Sequence, residues 1–238
     1  MKRICTPVVA ALVLVGAMAG SALAGAYEEG VAAFEAGDYQ TALRQWKPLA
    51  QKGVAGAQFG LGVMYANGDG VAPDYGIAAS WFRKAADKNY PAAEFELGNL
   101  YVNGHGVGKD YAAALNWFRK AAAQNYADGQ FALGVMYENG DGVVRDYATA
   151  ANWYKQAAER GNPNAQYALG ILYYNGKGVP RDLVAAHMWF DLAVARGDKL
   201  QPPISPQNAA NYRDLVATKM SKQQIAEAEK RAREWTPR

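Results

Sequence analysis

This chain of 238 residues is 50% hydrophobic and 12% aromatic, so it can bury a sizeable core and does not have the composition of a disordered protein. Its formal charge of +3 is too small to indicate a nucleic-acid partner. The single cysteine, Cys5, precedes every predicted element of the fold, which excludes disulfides and thiolate metal sites within that fold.

Residues 1–24 have the pattern of a signal peptide. Lys2 and Arg3 give a positive start, residues 8–19 form a short apolar run, and Ala22-Leu23-Ala24 fits the small-x-small cleavage rule. The alternative is an uncleaved membrane anchor, but the run is shorter than the ~20 residues that a span needs. We expect cleavage after Ala24, no membrane span afterwards, a formal charge of +1 once Lys2 and Arg3 are removed, and a periplasmic or secreted protein.

Residues 25–52 predict a shortened pair of helices. Here the chain passes from Phe34 to Asp38 in four residues, whereas the comparable step from Tyr65 to Asp74 takes nine. This first unit therefore lacks a glycine-rich insertion that later units carry, and we expect it to cap the fold at its amino-terminal end.

Residues 53–197 repeat with a period of 36 residues. Four sets of positions show the period, and they are Leu61-Gly62, Leu97-Gly98, Leu133-Gly134 and Leu169-Gly170; Tyr65, Tyr101, Tyr137 and Tyr173; Asp74, Asp110, Asp146 and Asp182; and Trp81, Trp117, Trp153 and Trp189. Such a period indicates stacked copies of one supersecondary unit. We expect the leucines to be buried, and loss of the Tyr137 ring to cost about 3 kcal/mol or more, as for other buried aromatic residues.

Each unit reads as two helices. In the first helix, Gln58, Leu61 and Tyr65 share one face, and in the second an alanine-rich stripe follows a capping aspartate such as Asp74. The turn between them contains Asn-Gly-x-Gly-Val, whose glycines stop the first helix. Gly62 costs about 1 kcal/mol inside a helix, so we expect a neighbouring tryptophan or tyrosine ring to pack against its bare backbone.

One helix pair cannot bury the apolar residues on both of its faces, so the pairs must stack. The sequence therefore predicts an all-α fold, a right-handed superhelical solenoid of helix-turn-helix repeats. Residues 198–238 end it with a proline-containing linker and helices over 207–220 and 222–235, the second opening with a capping box of Ser221 and Gln224. We interpret these helices as a carboxy-terminal cap; the alternative is a partner-binding helix.

No catalytic, cofactor or metal site is predicted. His105 lies in a turn where other repeats have aspartate or lysine, and His187 aligns with alanine or leucine, so neither has the spacing of a metal ligand. The Asn-Gly-Asp-Gly turns lack the further carboxylates of a calcium loop, and phosphate-loop and serine-hydrolase motifs are missing.

The pattern A-x-x-x-L-G-x-x-Y-x-x-G-x-G-V-x-x-D-x-x-x-A-x-x-W-[FY] over residues 53–197 resembles the Sel-1-like repeat family, relatives of the tetratricopeptide repeats. Residues 27–52 are more similar to a tetratricopeptide unit, and the last segment resembles the tail of bacterial exported members. The resemblance implies a non-enzymatic adaptor of the cell envelope with a protein or peptide partner. Two other interpretations remain, an envelope enzyme and a protein that binds cell-wall or exported polysaccharide.

In the related tetratricopeptide fold, a second face of the first helix lines a concave groove. The corresponding residues here are an aromatic set and a variable set, and they are Phe59, Phe95, Phe131 and Tyr167, and then Asn99, Val102, Glu138 and Tyr174. We expect the variable set to contact a partner. The aromatic set either anchors that partner or belongs to the core.

Overall fold

The computed structural model describes residues 21–201 and 204–237. They form two compact units, one ending at Gln124 and one beginning at Asn125. Within the described residues there are twelve α-helices, a 3₁₀ turn at Gly197–Lys199 and no strand, which confirms the all-α prediction. No helix in this part of the chain is both long enough and apolar enough to span a bilayer.

The two units contain six helices each. The first unit consists of α1 Ser21–Glu35, α2 Tyr39–Gln51, α3 Ala55–Asn67, α4 Tyr75–Ala86, α5 Pro91–Asn103 and α6 Tyr111–Ala123. The second consists of α7 Ala127–Asn139, α8 Tyr147–Glu159, α9 Pro163–Asn175, α10 Leu183–Ala195, α11 Pro206–Ala217 and α12 Lys222–Glu234. The two helices of every repeat pack against each other. Most of the predicted signal peptide lies outside the described residues, and the predicted cleavage point after Ala24 falls within α1.

The helix boundaries follow the sequence signals. The side chain of Asp74 accepts a hydrogen bond of 2.9 Å from the backbone N–H of Ile77, and Asp110, Asp146 and Asp182 cap their helices in the same way. Each first helix of a repeat ends at a glycine in the left-handed region, as at Gly68 with φ of 80°. The predicted caps and stops are therefore confirmed.

The repeated leucines form the core of each unit. Leu61, Leu97, Leu133 and Leu169 are each at most 1% exposed, as predicted. Beside them, a methyl group added to Gly62, Gly98, Gly134 or Gly170 would lie 2.4–2.8 Å from an aromatic ring. The ring belongs to the residue after the repeated tryptophan, which is a tyrosine beside Gly134 and a phenylalanine beside the other three glycines. The expected close packing is therefore confirmed, the tyrosine ring is confirmed at Gly134, and the prediction of a tryptophan ring was wrong. Trp81 instead lies half-buried with the Lys84 ammonium 4.1 Å from its ring centre.

The second glycine of the turn joins one helix pair to the pair before it. A methyl group on Gly106 would lie 2.2 Å from the backbone carbon of Tyr75, at the start of α4, and Gly178 stands in the same relation to Tyr147 at the start of α8. The sequence indicated only a turn at these positions. The structure shows that the turn is also a backbone contact between consecutive repeats.

The ends of the chain follow the repeat less closely. Trp46 in α2 occupies the position of Phe82 and is fully buried, and its indole N–H donates to the carbonyl of Tyr27. At the other end, α11 and α12 lie within a few residues of their predicted positions, and the capping box of Ser221 and Gln224 is formed. Both helices pack against α10, with Ala228 of α12 fully buried.

Candidate functional site

The aromatic set of the predicted groove divides into one core residue and three half-buried residues. Phe59 is 1% exposed, with the rings of Phe82 and Tyr90 at 5.7 and 5.1 Å between centres. A partner cannot reach Phe59 while α3 keeps this packing. Its proposed role as a partner anchor is therefore corrected, because its whole ring is used in the core.

Phe95, Phe131 and Tyr167 keep part of their surface open. Each packs against the buried ring of its own repeat, Phe95 on Phe118 at 5.8 Å and Phe131 on Tyr154 at 5.6 Å. Tyr167 packs on Phe190 at 5.7 Å and also meets Tyr212 of α11 at 5.8 Å. Each of these three rings is therefore packed over part of its surface and accessible over the rest.

In the first unit, the variable set consists of Asn99 and Val102 on α5. Both are half-buried. The Asn99 amide donates to the Glu96 carboxylate at 3.2 Å, and its backbone carbonyl accepts from Asn103 at 2.8 Å. Asn99 can still accept through its side-chain oxygen, and Val102 adds apolar surface one turn further along the helix.

In the second unit, Glu138 is half-buried and already has a partner. The Tyr154 hydroxyl donates to its carboxylate at 2.6 Å. Burial, together with the charge of Glu138, raises the pKa of Tyr154 above its ordinary range, so this hydrogen bond keeps its proton on the tyrosine. Glu138 thus links the variable face of α7 to the core of the repeat.

Tyr174 is half-buried and contacts a residue from beyond the repeats. The Lys219 ammonium, just after α11, hydrogen-bonds the Tyr174 hydroxyl and lies 4.7 Å from its ring centre. The Arg181 guanidinium lies 6.0 Å from the same ring. A partner that binds Tyr174 would have to share it with these two cations.

The two histidines lie in different surroundings. His105 stacks on Tyr75 with 4.7 Å between ring centres. His187 is 4% exposed, as the packed position predicted, and its Nδ1 lies 3.2 Å from the Asp191 carboxylate. Among the described residues, no three histidine, aspartate or glutamate side chains are grouped as metal ligands would be.

The aspartates of the glycine-rich turns serve the turns themselves. The Asn67 amide donates to the Asp69 carboxylate at 3.0 Å, and Asn139 does the same for Asp141 at 3.1 Å. This bond closes the turn locally, as asparagine and aspartate side chains commonly do. It gives these carboxylates a structural role.

Two carboxyl groups have a raised pKa, the feature that would favour an enzyme if such groups were paired. Burial raises the pKa of Glu94, whose carboxylate accepts from the Gln124 amide at 2.7 Å. Burial also raises the pKa of Asp128, which accepts from Asn162 at 2.7 Å. Each group is held by a neutral amide rather than by a second carboxyl, so these two sites favour a structural role.

Glu94 should make stability depend on pH. It stands where other repeats have Gln58 and Gln166, whose amides donate to the carbonyls of Ala50 and Ala158. We expect Glu94→Gln to raise the free energy of unfolding by about 1 kcal/mol at pH 7, because an amide can both donate and stay neutral. Urea unfolding of both proteins from pH 3 to pH 8 measures this.

The direction follows from linkage. A carboxyl whose pKa is raised in the folded state contributes its full stability below the unfolded value, ~4.3 for glutamate, and loses it as the pH rises through the folded value. The advantage of Glu94→Gln should therefore shrink towards acid pH. The reverse change, Gln58→Glu, is the matched control and should destabilise the protein most at neutral pH. An advantage of Glu94→Gln that is the same at pH 3 and pH 8 would contradict this account.

Solved structures similar to this chain share the repeat. A Sel1 repeat protein from Oxalobacter formigenes is 29% identical, with a TM-score of 0.65, over 77% of this chain and 78% of that one. The protective antigen c5321 of uropathogenic Escherichia coli, which has an SLR fold, is 30% identical with a TM-score of 0.53, over 83% of this chain. The match spans 48% of that longer protein.

A third structure, a putative Sel1 repeat protein from Klebsiella pneumoniae, is 21% identical with a TM-score of 0.53 over 85% of this chain and 99% of that one, and it supports the fold alone. No curated protein matches the sequence. The family model for the Sel1 repeat matches four consecutive segments, 55–90, 91–126, 127–162 and 163–198, which together make up more than half of the chain. This chain therefore belongs to the Sel1 repeat family, and its fold is that family's helical solenoid.

Proposed function

We propose that this protein is a non-enzymatic scaffold of the bacterial cell envelope that binds a peptide or a protein. The binding surface is the face of the first helix of each repeat that carries the variable residues and the half-buried aromatic residues. Sel1 repeats typically mediate protein–protein interaction. The signal-peptide pattern of residues 1–24 supports export. The relatives described above support the repeat scaffold but do not name its partner.

One observation carries the binding surface. At the core positions the four repeats have the same leucine and glycine. At the neighbouring variable positions, which are buried in the first repeat and half-buried in the other three, the chemistry changes from repeat to repeat. In the first unit that face offers the Asn99 amide and the Val102 side chain, and in the second it offers the Glu138 carboxylate and the Tyr174 ring. Packing requires the constant residues, and it leaves the variable ones free to set specificity.

The half-buried aromatic residues add affinity to this surface. Phe95, Phe131 and Tyr167 are held on one side by a buried ring of the same repeat. A ring fixed in this way loses little conformational entropy when a partner covers its remaining edge. The proposed surface therefore combines prearranged apolar edges with variable polar groups.

Affinity capture from the native envelope fraction tests the proposal. The variant Asn99→Ala/Val102→Ala tests the first unit, and Glu138→Gln/Tyr174→Ala tests the second, with glutamine chosen so that Tyr154 keeps its acceptor. We expect at least one of the two variants to reduce the recovered partner by tenfold or more, equivalent to ~1.4 kcal/mol, with helicity unchanged.

The matched control is Asn116→Ala, an exposed change on α6 away from this face. It should recover the partner as well as the unchanged protein does. Full recovery by both test variants would place the binding site elsewhere. Absence of the protein itself from the envelope fraction would contradict the proposed location.

A further inference from the structure

The last repeat departs from the repeat pattern at two positions of α10. His187 stands where the earlier repeats have Ala79, Leu115 and Ala151. Asp191, one turn later, stands where they have Arg83, Arg119 and Lys155. Residues four apart on a helix share a face, so the two changes bring an imidazole and a carboxylate together where the other repeats place an apolar side chain and a cation.

These two side chains form a cluster with an arginine of α11. His187 Nδ1 lies 3.2 Å from Asp191 Oδ2 but makes no hydrogen bond with the described residues. Asp191 Oδ1 lies 3.6 Å from Nη1 of Arg213, which is longer than a hydrogen bond. The Arg213 guanidinium is held in place by its Nε and Nη2 groups, which donate to Asp214 Oδ1 at 2.9 and 2.8 Å. The buried imidazole and the Nη1 group therefore both retain capacity to donate.

The cluster lines an open cavity of about 660 Å³ between α10, α11 and α12. Apolar side chains cover much of its wall, including Leu192, Ala217 and Ile225. At the rim, Arg233 lies 3.7 Å from Glu229, an exposed and weak pairing. Its size is that of a small-ligand site, and half of its lining residues are charged or titratable.

We propose that this cavity binds a carboxylate attached to an apolar body, either the C-terminal residues of a peptide or a short organic acid. The carboxylate accepts from Arg213 Nη1 and from His187, and the apolar body lies against Leu192 and Ile225. A planar group with a single charge suits the site, since a doubly charged phosphate would be repelled by Asp191 and Glu229. This site is separate from the variable face of the first helices and does not depend on the function proposed for that face.

The test uses the full mature chain and three probes. They are an acetylated tetrapeptide ending in Leu-Leu with a free carboxylate, the same peptide as its C-terminal amide, and hexanoate, all followed by NMR at the His187 ring and Arg213 Nε. We expect at least one free acid to give saturable shifts and the amide to bind at least tenfold more weakly. Arg213→Gln should weaken binding of the acid at least tenfold, and His187→Ala, which restores the residue of two of the earlier repeats, should also weaken it.

The control is Arg231→Gln, on the part of α12 outside this cavity, where Arg231 pairs with Glu227. It should leave binding unchanged. Binding of the tetrapeptide alone would identify a peptide terminus as the source of the carboxylate, and binding of hexanoate alone would identify an organic acid. No saturable shift with either acid, equal binding of the amide, or unchanged binding by Arg213→Gln would overturn the proposal.

Discussion

Replacing Gly106 by alanine is expected to lower the free energy of unfolding by about 3 kcal/mol. The backbone of Gly106 has φ of 69°, a left-handed conformation that costs a residue with a Cβ about 1 kcal/mol or more. The new methyl group would also lie 2.2 Å from the Tyr75 carbonyl carbon and 2.5 Å from the Gly76 nitrogen. Because both are backbone atoms, α4 itself must move, and overpacking of this kind costs a further 1–3 kcal/mol.

Gly108, two residues away, provides the matched control. A methyl group there meets nothing within 4 Å, and its φ lies outside the left-handed region. Gly108→Ala should therefore change stability by no more than about 0.5 kcal/mol. Urea unfolding and hydrogen exchange of the amides at the start of α4 measure both variants. If the two variants lost equal stability, the turn would not be the backbone contact between repeats that the structure shows.

The core could be predicted from the sequence because the same pattern of residues recurs in all four repeats. Leu61 and its three copies point inward for one reason, and the caps at Asp74 and its copies follow from local hydrogen bonding. Periodicity and capping both act within a few residues along the chain. That is why the helices and the buried leucines were predicted from one sequence.

Contacts between one repeat and the next were harder to predict. The second turn glycine was interpreted as a turn former, but its closest neighbour is the backbone of Tyr75 or Tyr147 in the preceding repeat. Nothing in the spacing of Asn-Gly-x-Gly-Val distinguishes a glycine needed for its own φ from one needed for a neighbour's approach. Only the stacking geometry separates the two requirements.

The prediction of the binding surface was less accurate near the ends of the chain. Equivalent residues in a repeat have equal surroundings only while both neighbours are also repeats. Phe59 is more buried than Phe95 within the first unit, where Phe59 contacts Tyr90 and Tyr90 is in turn hydrogen-bonded to Tyr27 of α1. Tyr174 is contacted by Lys219 from beyond the repeats. Tyr27 and Lys219 both lie outside the four repeats, so alignment of the repeats could not reveal their contacts.

The Tyr154 ring should be among the most costly side chains of the second unit to remove. It is 1% exposed and packs against Gly134 and Phe131, and its hydroxyl donates to Glu138. We expect Tyr154→Ala to cost about 4 kcal/mol, in the range for buried aromatic residues, with loss of exchange protection in α7 and α8. The sequence assigned such a loss to Tyr137, but Tyr137 is only half-buried, so Tyr137→Ala should cost clearly less.

Tyr154→Phe separates the ring from the hydroxyl. Phenylalanine already occupies this position in the other repeats, as Phe82, Phe118 and Phe190, so the ring should pack unchanged. The remaining loss, about 1 kcal/mol, is the hydrogen bond to the half-buried Glu138 carboxylate. The double variant Tyr154→Phe/Glu138→Ala should lose less free energy of unfolding than the two single variants lose together. In Tyr154→Phe the Glu138 carboxylate lacks its donor, and in the double variant that carboxylate is no longer present. Strict additivity would mean that Glu138 is solvated independently of Tyr154, and its carboxylate would then be as available to a partner as an exposed one.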